Sequence, residues 1–178
     1  KYRFAYTKDA TNWDIIGEIP ANFPVGDFAS LSFASRNNKP KAIIAGGFSV
    51  SGKLLSNVWS TEDGIYWVDF SRENTSFGLR AGTSIISYDD KLLLFGGMDD
   101  DANVNDSIYL ESVNEGLIWT VPDTANNQIR QRFIKIDAEN KADTTYLEYE
   151  KRYQQSVILD KNNNIILIGG RNKSTVFS

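Results

Sequence analysis

The sequence predicts an all-β fold built from repeats of about 50 residues. Three short apolar runs each end in a pair of glycines, and they cover residues 42–47, 92–97 and 165–170. Tryptophans recur at matching places, at Trp13, Trp67 and Trp119. Four antiparallel strands repeating at such a period are typical of a propeller blade. We therefore predict a β-propeller of four-stranded antiparallel blades, with about three blades present and the ring incomplete.

The first two strands of each unit, strands a and b, form a hairpin that ends at the glycine pair. Polar turns separate these two strands, at residues 37–40, 89–91 and 160–164. Each strand b is a continuous apolar run, which predicts burial, and its glycine pair predicts a backbone turn without side chains. Short β-rich runs punctuated by Gly, Asn and Asp argue against helical repeats.

Strands c and d follow after a loop and are joined by a tight turn. Residues 60–67 align without a gap on residues 112–119, and residues 6–13 align more loosely. The predicted organisation is a partial blade of strands c and d (1–16), two blades (28–70 and 81–122), an insertion (123–155) and a partial blade (156–178). Closed propellers usually have four to eight blades. The remaining blades are therefore expected either from the same longer chain or from a second copy.

These segments resemble two known repeat families. The glycine pair followed by an aromatic residue and a tryptophan resembles the kelch repeat, with Tyr109 and Trp119 or Trp59 and Trp67 as the later pair. The segment from Ser60 to Trp67 resembles the Asp-box, the Ser-x-Asp-x-Gly-x-x-Trp turn between strands c and d of sialidase-like propellers. Both resemblances imply a propeller.

The Asp-box alignment also implies a role for the turn. Glu62 and Asn114 stand where the family has aspartate. In the first copy the serine, aspartate and glycine positions hold Tyr6, Lys8 and Ala10. In the families that it resembles the turn lies on the face away from the ligand. The resemblance therefore implies a structural turn and argues against a catalytic Asp63.

The two signatures together, in an Asn/Asp-rich chain, are similar to surface propellers of Bacteroidetes bacteria that are described as cell-adhesion proteins. This resemblance implies a bacterial cell-surface protein. It is specific for the fold and weak for function, because propellers host many unrelated functions.

The composition excludes several classes of function. The chain has no cysteine and no histidine, which excludes disulfides, thiolate zinc sites and Cys/His or Ser/His triads within it. Its net charge is −4 and no Lys/Arg run appears, so nucleic acid is not an expected partner. No apolar stretch approaches the roughly 20 residues that a membrane-spanning helix needs, so no transmembrane segment is expected.

The candidates for ligand binding lie where the linkers before strand a and the loops after strand b emerge on one face. Arg80 and Arg152 occupy equivalent places, each four residues before a serine in strand a. Equivalent arginines at the mouth of a propeller could clamp a carboxylate, as those of sialidases do. Alternatively, each forms a salt bridge with a neighbouring blade or is solvated. Phe48 and Arg171 are further candidates on this face.

A tyrosine-rich stretch in the insertion supplies two more ligand-binding candidates, Tyr149 and Tyr153. Together with Tyr146 they are spaced three and four residues apart, as on one side of a helix, or else they form an extended aromatic strip. Exposed tyrosines on the ligand face would suit contact with a sugar or a protein. Equally, they could pack on the blade.

The loop of residues 99–106 is a candidate calcium site. Its ligands would be Asp99, Asp101, Asn103 and Asn105, which place oxygen atoms at alternate positions. The loop lacks the EF-hand glycine and the distal bidentate glutamate, so a solvated acidic loop is the alternative. No other cofactor is expected.

These observations favour a non-catalytic binding or adhesion module outside the cytoplasm, which recognises a glycan or a protein through the face formed by linkers and loops. The alternative is part of a carbohydrate-active enzyme, sialidase-like or kelch-type, with catalytic residues partly outside this chain. Carboxylates and arginines facing the central channel would favour that alternative. A purely structural spacer is a third one.

Overall fold

The structure is a computed structural model that describes residues 3–34, 39–70, 78–101, 109–121, 133–136, 142–145, 151–173 and 176. These residues contain strands and no helix, which confirms the predicted all-β class. The strands are β1 (Arg3–Tyr6), β2 (Asp14–Glu18), β3 (Ala29–Ala34), β4 (Pro40–Ala45), β5 (Val58–Thr61), β6 (Val68–Asp69), β7 (Ser84–Tyr88), β8 (Lys91–Phe95), β9 (Tyr109–Ser112), β10 (Phe133–Ile136), β11 (Ala142–Thr145), β12 (Ser156–Leu159) and β13 (Ile165–Ile168). No helix in this described part is long and apolar enough to cross a membrane.

The strands form separate antiparallel sheets that follow one another along the chain. The first blade is a four-stranded sheet in the order β3, β4, β5 and β6. The second blade contains β7, β8 and β9, and its strand d is reduced to a bridge between Glu111 and Thr120. The leading half-blade is β1 with β2, and the trailing half-blade is β12 with β13. The predicted propeller, with an incomplete ring, is confirmed.

A further hairpin lies in the segment that separates the second blade from the trailing half-blade. There β10 pairs antiparallel with β11, from Phe133 opposite Thr145 to Ile136 opposite Ala142. The hairpin forms a sheet of its own and joins neither flanking blade sheet.

The core lies between successive blades, and the central strand β8 is buried on both faces. In β8, Leu92 and Leu94 belong to the cluster shared with the first blade, whose members there include Ile43. The alternate residues Leu93 and Phe95 belong to a second cluster shared with the trailing half-blade. Successive side chains of a strand point to opposite faces. The continuous apolar run in strand b therefore serves two joints at once.

The turns between strands c and d are each closed by one side-chain oxygen. In the first blade, Asp63 Oδ1 accepts hydrogen bonds from the backbone N–H groups of Tyr66 and Ile65, both at 2.8 Å. The Thr61 hydroxyl donates to the same oxygen at 3.1 Å. These bonds hold the pKa of Asp63 below its usual value. The carboxylate is thus a structural part of the turn.

The leading half-blade repeats this turn, as the alignment of residues 6–13 on residues 60–67 predicts, but the acceptor lies one residue after the position that the Asp-box resemblance gives to aspartate. Asp9 Oδ1 accepts the N–H groups of Thr11 at 2.9 Å and Asn12 at 2.8 Å. The turn acceptors are therefore Asp9 and Asp63, not the residues at positions 8 and 62. The residue after each aspartate has a positive φ, 62° at Ala10 and 75° at Gly64.

The corresponding turn of the second blade is one residue longer. Asn114 Oδ1 accepts the Ile118 N–H at 2.9 Å and the Ser112 hydroxyl at 2.8 Å. Two residues after Asn114 have positive φ, Glu115 at 60° and Gly116 at 88°. The added residue explains why an alignment without a gap paired Asn114 with position 62.

Candidate ligand-binding face

The linkers before strand a and the loops after strand b meet at one end of the blades. In each unit the residue after the glycine pair forms an antiparallel bridge with a linker residue, and the pairs are Phe48 with Gly26, Met98 with Ala81, and Arg171 with Tyr153. Each bridge is closed by backbone hydrogen bonds of 2.8–3.0 Å. We call this end, formed by residues 25–28, 46–49, 80–83, 96–99, 152–155 and 169–171, the linker-loop face.

A backbone ladder crosses this face just before the strands a. The Gln154 N–H donates to the Gly82 carbonyl at 2.7 Å, and the Gly82 N–H donates to the Asp27 carbonyl at 2.8 Å. All three residues have positive φ, 49° at Asp27, 68° at Gly82 and 56° at Gln154. Residues other than glycine rarely adopt this conformation, so the bonds between blades maintain a strained backbone.

The first joint between blades is formed by Arg80, which was predicted as a ligand-binding residue. Its carbonyl accepts the Gly47 N–H of the first blade at 2.8 Å, and its guanidinium donates to the Gly96 carbonyl of its own blade at 3.4 Å. Only 5% of the residue is exposed. Burial lowers the pKa of Arg80 to about 10, so the guanidinium stays protonated at neutral pH.

Arg152 repeats this arrangement at the second joint. Its carbonyl accepts the Gly97 N–H at 3.2 Å, and its guanidinium donates to the Gly169 carbonyl at 3.1 Å. The neighbouring Gln155 reinforces the joint, since its side-chain amide donates to the Phe95 carbonyl at 2.8 Å. Both predicted arginines are therefore buried and engaged in blade joints. A ligand role for them stays a prediction.

The remaining described candidates differ in exposure. Phe48 is half-buried, Tyr153 is buried and Arg171 is exposed. The Arg171 guanidinium carbon lies 5.1 Å from the centre of the Tyr153 ring, a cation–π distance. The structure thus brings Tyr153 and Arg171 together. Gln154, which belongs to the backbone ladder, directly follows Tyr153 in the chain.

The predicted calcium loop is described only at its start. Asp99 Oδ1 accepts the Asp101 N–H at 3.0 Å, which closes a local turn. Asn103, Asn105 and the predicted ligand-binding residue Tyr149 lie outside the described residues. Within the described ranges no three acidic residues are grouped so that they could hold a metal ion. Calcium binding stays a prediction.

One residue of the face, Gln154, was not predicted from the sequence as a site residue. Gln154 is exposed and donates to the Asp27 carboxylate at 3.4 Å, so it connects side chains of two blades. Its position, two residues after Arg152 in a linker, was the available signal. Met98 is equivalent to Phe48 and Arg171, since each follows a glycine pair.

Comparison with known proteins decides the family. The whole chain, residues 1–178, matches the family model described as the DUF6242 beta propeller domain. The chain belongs to this family. No curated protein matches it. Among solved structures, the DUF6242 domain is similar to the one titled "Structure of YjhT", with a TM-score of 0.56 and 14% sequence identity.

The YjhT likeness concerns the fold alone. The alignment covers 93% of the DUF6242 chain and 44% of the YjhT chain, so this chain spans less than half of that structure. The match supports the arrangement of blades described above. In this DUF6242 propeller the linker-loop face, with Phe48, Tyr153 and Arg171 on a backbone that is hydrogen-bonded from blade to blade, is the candidate site.

Proposed function

We propose that this DUF6242 propeller is part of a non-catalytic binding or adhesion module that recognises a glycan or a protein through the linker-loop face. The proposal includes that the repeats are of the kelch and Asp-box type and that the module takes part in cell adhesion. The module is proposed to act outside the cytoplasm, as the surface propellers that the sequence resembles do.

The observation that carries the proposal is that the backbone arrangement after the glycine pair is the same in three units, whereas the side chain at that position differs in each. Phe48, Met98 and Arg171 occupy equivalent places, each bridged to a linker residue by backbone hydrogen bonds. Their side chains are aromatic, thioether and guanidinium. A rigid frame that presents different side chains at one face suits recognition, because the frame fixes their positions before binding.

A glycan is the first candidate ligand. The exposed described residues on the face include Asp27, Gln154 and Arg171, which together offer hydrogen-bond donors and acceptors. The polar character of these exposed residues therefore favours a hydroxyl-rich ligand.

No specific observation favours the enzyme alternative. It depended on arginines facing the channel, and the Arg80 and Arg152 guanidinium groups donate to glycine carbonyls in the blades. The Asp63 and Asp9 carboxylates, in turn, are bonded to their own turns.

A glycan array probed with the intact protein tests the proposal. We expect binding to a defined set of glycans that Arg171→Ala weakens and Lys161→Ala leaves unchanged. Lys161 is the matched control, because it is an exposed cation in the turn at the opposite end of the same hairpin. Absence of binding to any glycan or to cell-surface protein, or an equal loss in both variants, would contradict the proposal.

A further inference from the structure

Arg171 is the exposed cation whose position on the linker-loop face is best defined. Its backbone forms two hydrogen bonds with Tyr153, at 2.9 and 3.0 Å, and its guanidinium carbon lies 5.1 Å from the centre of the Tyr153 ring. The ring itself is buried, with 7% of Tyr153 exposed. A fixed ring beneath a planar guanidinium restricts its rotamers, so less freedom is lost when a ligand binds.

The guanidinium of Arg171 has no carboxylate partner among the described residues. The ion pairs described there are Lys41 with Glu115 and Lys91 with Glu111, both in other blades. An exposed guanidinium supported by a ring leaves its forked donors available to an anion. Carboxylates and sulfates accept two parallel hydrogen bonds from such a fork.

The charge distribution points the same way. The segment 151–173 has five cationic residues and one acidic residue, within a chain whose net charge is −4. The acidic residue, Asp160, lies in the turn at the opposite end of the hairpin, where its carboxylate accepts the N–H groups of Asn162 and Asn164. Lys161 lies in the same turn, so four cationic residues of this segment remain at its linker-loop end, against the one exposed carboxylate of Asp27 that Gln154 contacts. This excess of positive charge attracts anions over a Debye length.

Polar groups lie on the same linker-loop face as this cation. Gln154 follows Tyr153 directly, and its amide donates to the Asp27 carboxylate at 3.4 Å. Both side chains are exposed. A ligand with an anionic group on Arg171 would thus meet an amide and a carboxylate that can bond hydroxyl groups.

We propose that Arg171, held over Tyr153, binds the anionic group, a carboxylate or a sulfate, of an acidic saccharide. The inference rests on the proposed function and names the class of ligand for the same face. Neutral saccharides lack the group that the guanidinium binds and are the weaker ligands.

Matched polysaccharides test the inference with the intact protein. Polygalacturonate and its methyl ester differ in the carboxylate charge, and dextran sulfate and dextran differ in the sulfate. We expect at least one acidic member of a pair to bind in biolayer interferometry, its neutral counterpart to bind at least tenfold more weakly, and added salt to weaken the acidic complex. The pair that binds distinguishes a carboxylate from a sulfate.

The variants assign the effect to Arg171. Arg171→Ala is expected to weaken binding of the acidic probe about tenfold or more, because a charge-assisted hydrogen bond is lost. Lys161→Ala, which removes the same charge from the other end of the hairpin, should not change it. Equal binding of acidic and neutral probes, no binding of either acidic probe, or an Arg171→Ala variant that binds like Lys161→Ala overturns the inference. If the protein instead binds neutral glycans in the array, and Arg171→Ala does not weaken that binding, the inference about acidic saccharides is wrong but the proposed binding function is supported.

Discussion

Gly96 shows why glycine is required at the blade joints. Its φ is 64°, and a Cβ there would overlap the carbonyl oxygen of Arg152 in the next unit. Gly46 has the same relation to Arg80. These glycines allow the backbones of two blades to approach closely enough for the Gly47 and Gly97 N–H groups to reach the arginine carbonyls. The glycine pairs therefore join blades as well as end strands.

Two glycine variants distinguish the stability lost through the contact between blades from the stability lost through the left-handed backbone conformation. Gly52 has a φ of 76°, and a Cβ there would meet no atom within 4 Å. We expect Gly52→Ala to cost about 1–2 kcal/mol, the cost of a left-handed alanine. Gly96→Ala should lower the free energy of unfolding by roughly 1–3 kcal/mol more, because the added methyl overlaps the joint. Urea denaturation of the intact protein measures the free energy of unfolding of both variants. Equal losses in the two variants would contradict the close contact between Gly96 and Arg152.

The turn aspartates predict a pH dependence. Hydrogen bonds from Tyr66 and Ile65 lower the pKa of Asp63 from its ordinary value of 3.8. A lowered folded pKa gives stability that is present above the unfolded pKa and is lost as the pH falls through the folded one. The melting temperature should therefore fall as the pH drops below about 4.

Asp63→Asn tests this dependence, because asparagine keeps the accepting oxygen and loses the charge. We expect its melting temperature to fall less than that of the wild type between about pH 5 and pH 2.5. Asp100→Asn, at an exposed aspartate outside the turns between strands c and d, is the control. If Asp63→Asn and the wild type lose stability in parallel, the turn carboxylate contributes nothing.

For individual residues, the sequence predicted which positions are equivalent between repeats better than it predicted the contacts that their side chains make. Periodicity identified Arg80 and Arg152 as equivalent, yet it contains no information on where a guanidinium points, and both donate to glycine carbonyls. Asp63 was recognised as structural, but the alignment missed its equivalence to Asn114 because one turn has an extra residue. Such slips arise wherever loop length varies within a repeat.

Strand β8 shows how one element serves two joints. Leu94 is fully buried in the cluster shared with the first blade, whereas Leu93 belongs to the cluster shared with the trailing half-blade. An ion pair adds to the first of these joints, since Lys41 Nζ in β4 lies 3.0 Å from Glu115 Oε2 in the turn of the second blade. The continuous apolar run that predicted this strand b follows from its burial on both faces.

Truncation of a central strand should therefore cost far more than truncation of an outer one. We expect Leu94→Ala to lower the free energy of unfolding by about 2–5 kcal/mol, since it leaves a cavity between blades. Val68, in the outer strand β6, is 56% exposed. Val68→Ala should stay within about 0.5 kcal/mol of the wild type in the same denaturation experiment. Comparable losses would contradict the assignment of inner and outer strands.

The outer strands were the least predictable elements. Strand d of the first blade has two residues, Val68–Asp69, and that of the second blade is a single bridge at Thr120. An edge strand with one solvent-facing side has a weak apolar pattern, so the sequence indicates its place through the tryptophan of the preceding turn rather than through its own residues.

The three turn tryptophans differ in burial across the molecule. Trp119 is fully buried against the first blade, and Trp67 stacks on Phe4 of the leading half-blade with 5.7 Å between ring centroids. Trp13, at the equivalent place, is 62% exposed. Each covered tryptophan packs on the blade that precedes it. We therefore predict that another blade packs against Trp13 in the intact protein, from the same chain or a second copy.

The stability of a Trp13→Ala variant of the intact protein tests this packing. If a blade covers Trp13, the substitution should cost about 3–5 kcal/mol, as for a buried tryptophan. A change within about 0.5 kcal/mol would instead match an exposed side chain and contradict the prediction. Light scattering then distinguishes a single longer chain from a dimer as the source of that blade.

A crystal structure of the intact protein tests the central claim most directly, namely that successive blades are joined by a repeated backbone ladder and by arginine–glycine joints. We predict a closed ring in which the Asp27, Gly82 and Gln154 ladder continues into further blades, Trp13 is covered, and Arg171 stays exposed on the linker-loop face. An open arc with Trp13 in solvent, or blades joined without the contacts from Arg80 and Arg152 to the glycine pairs, would contradict it.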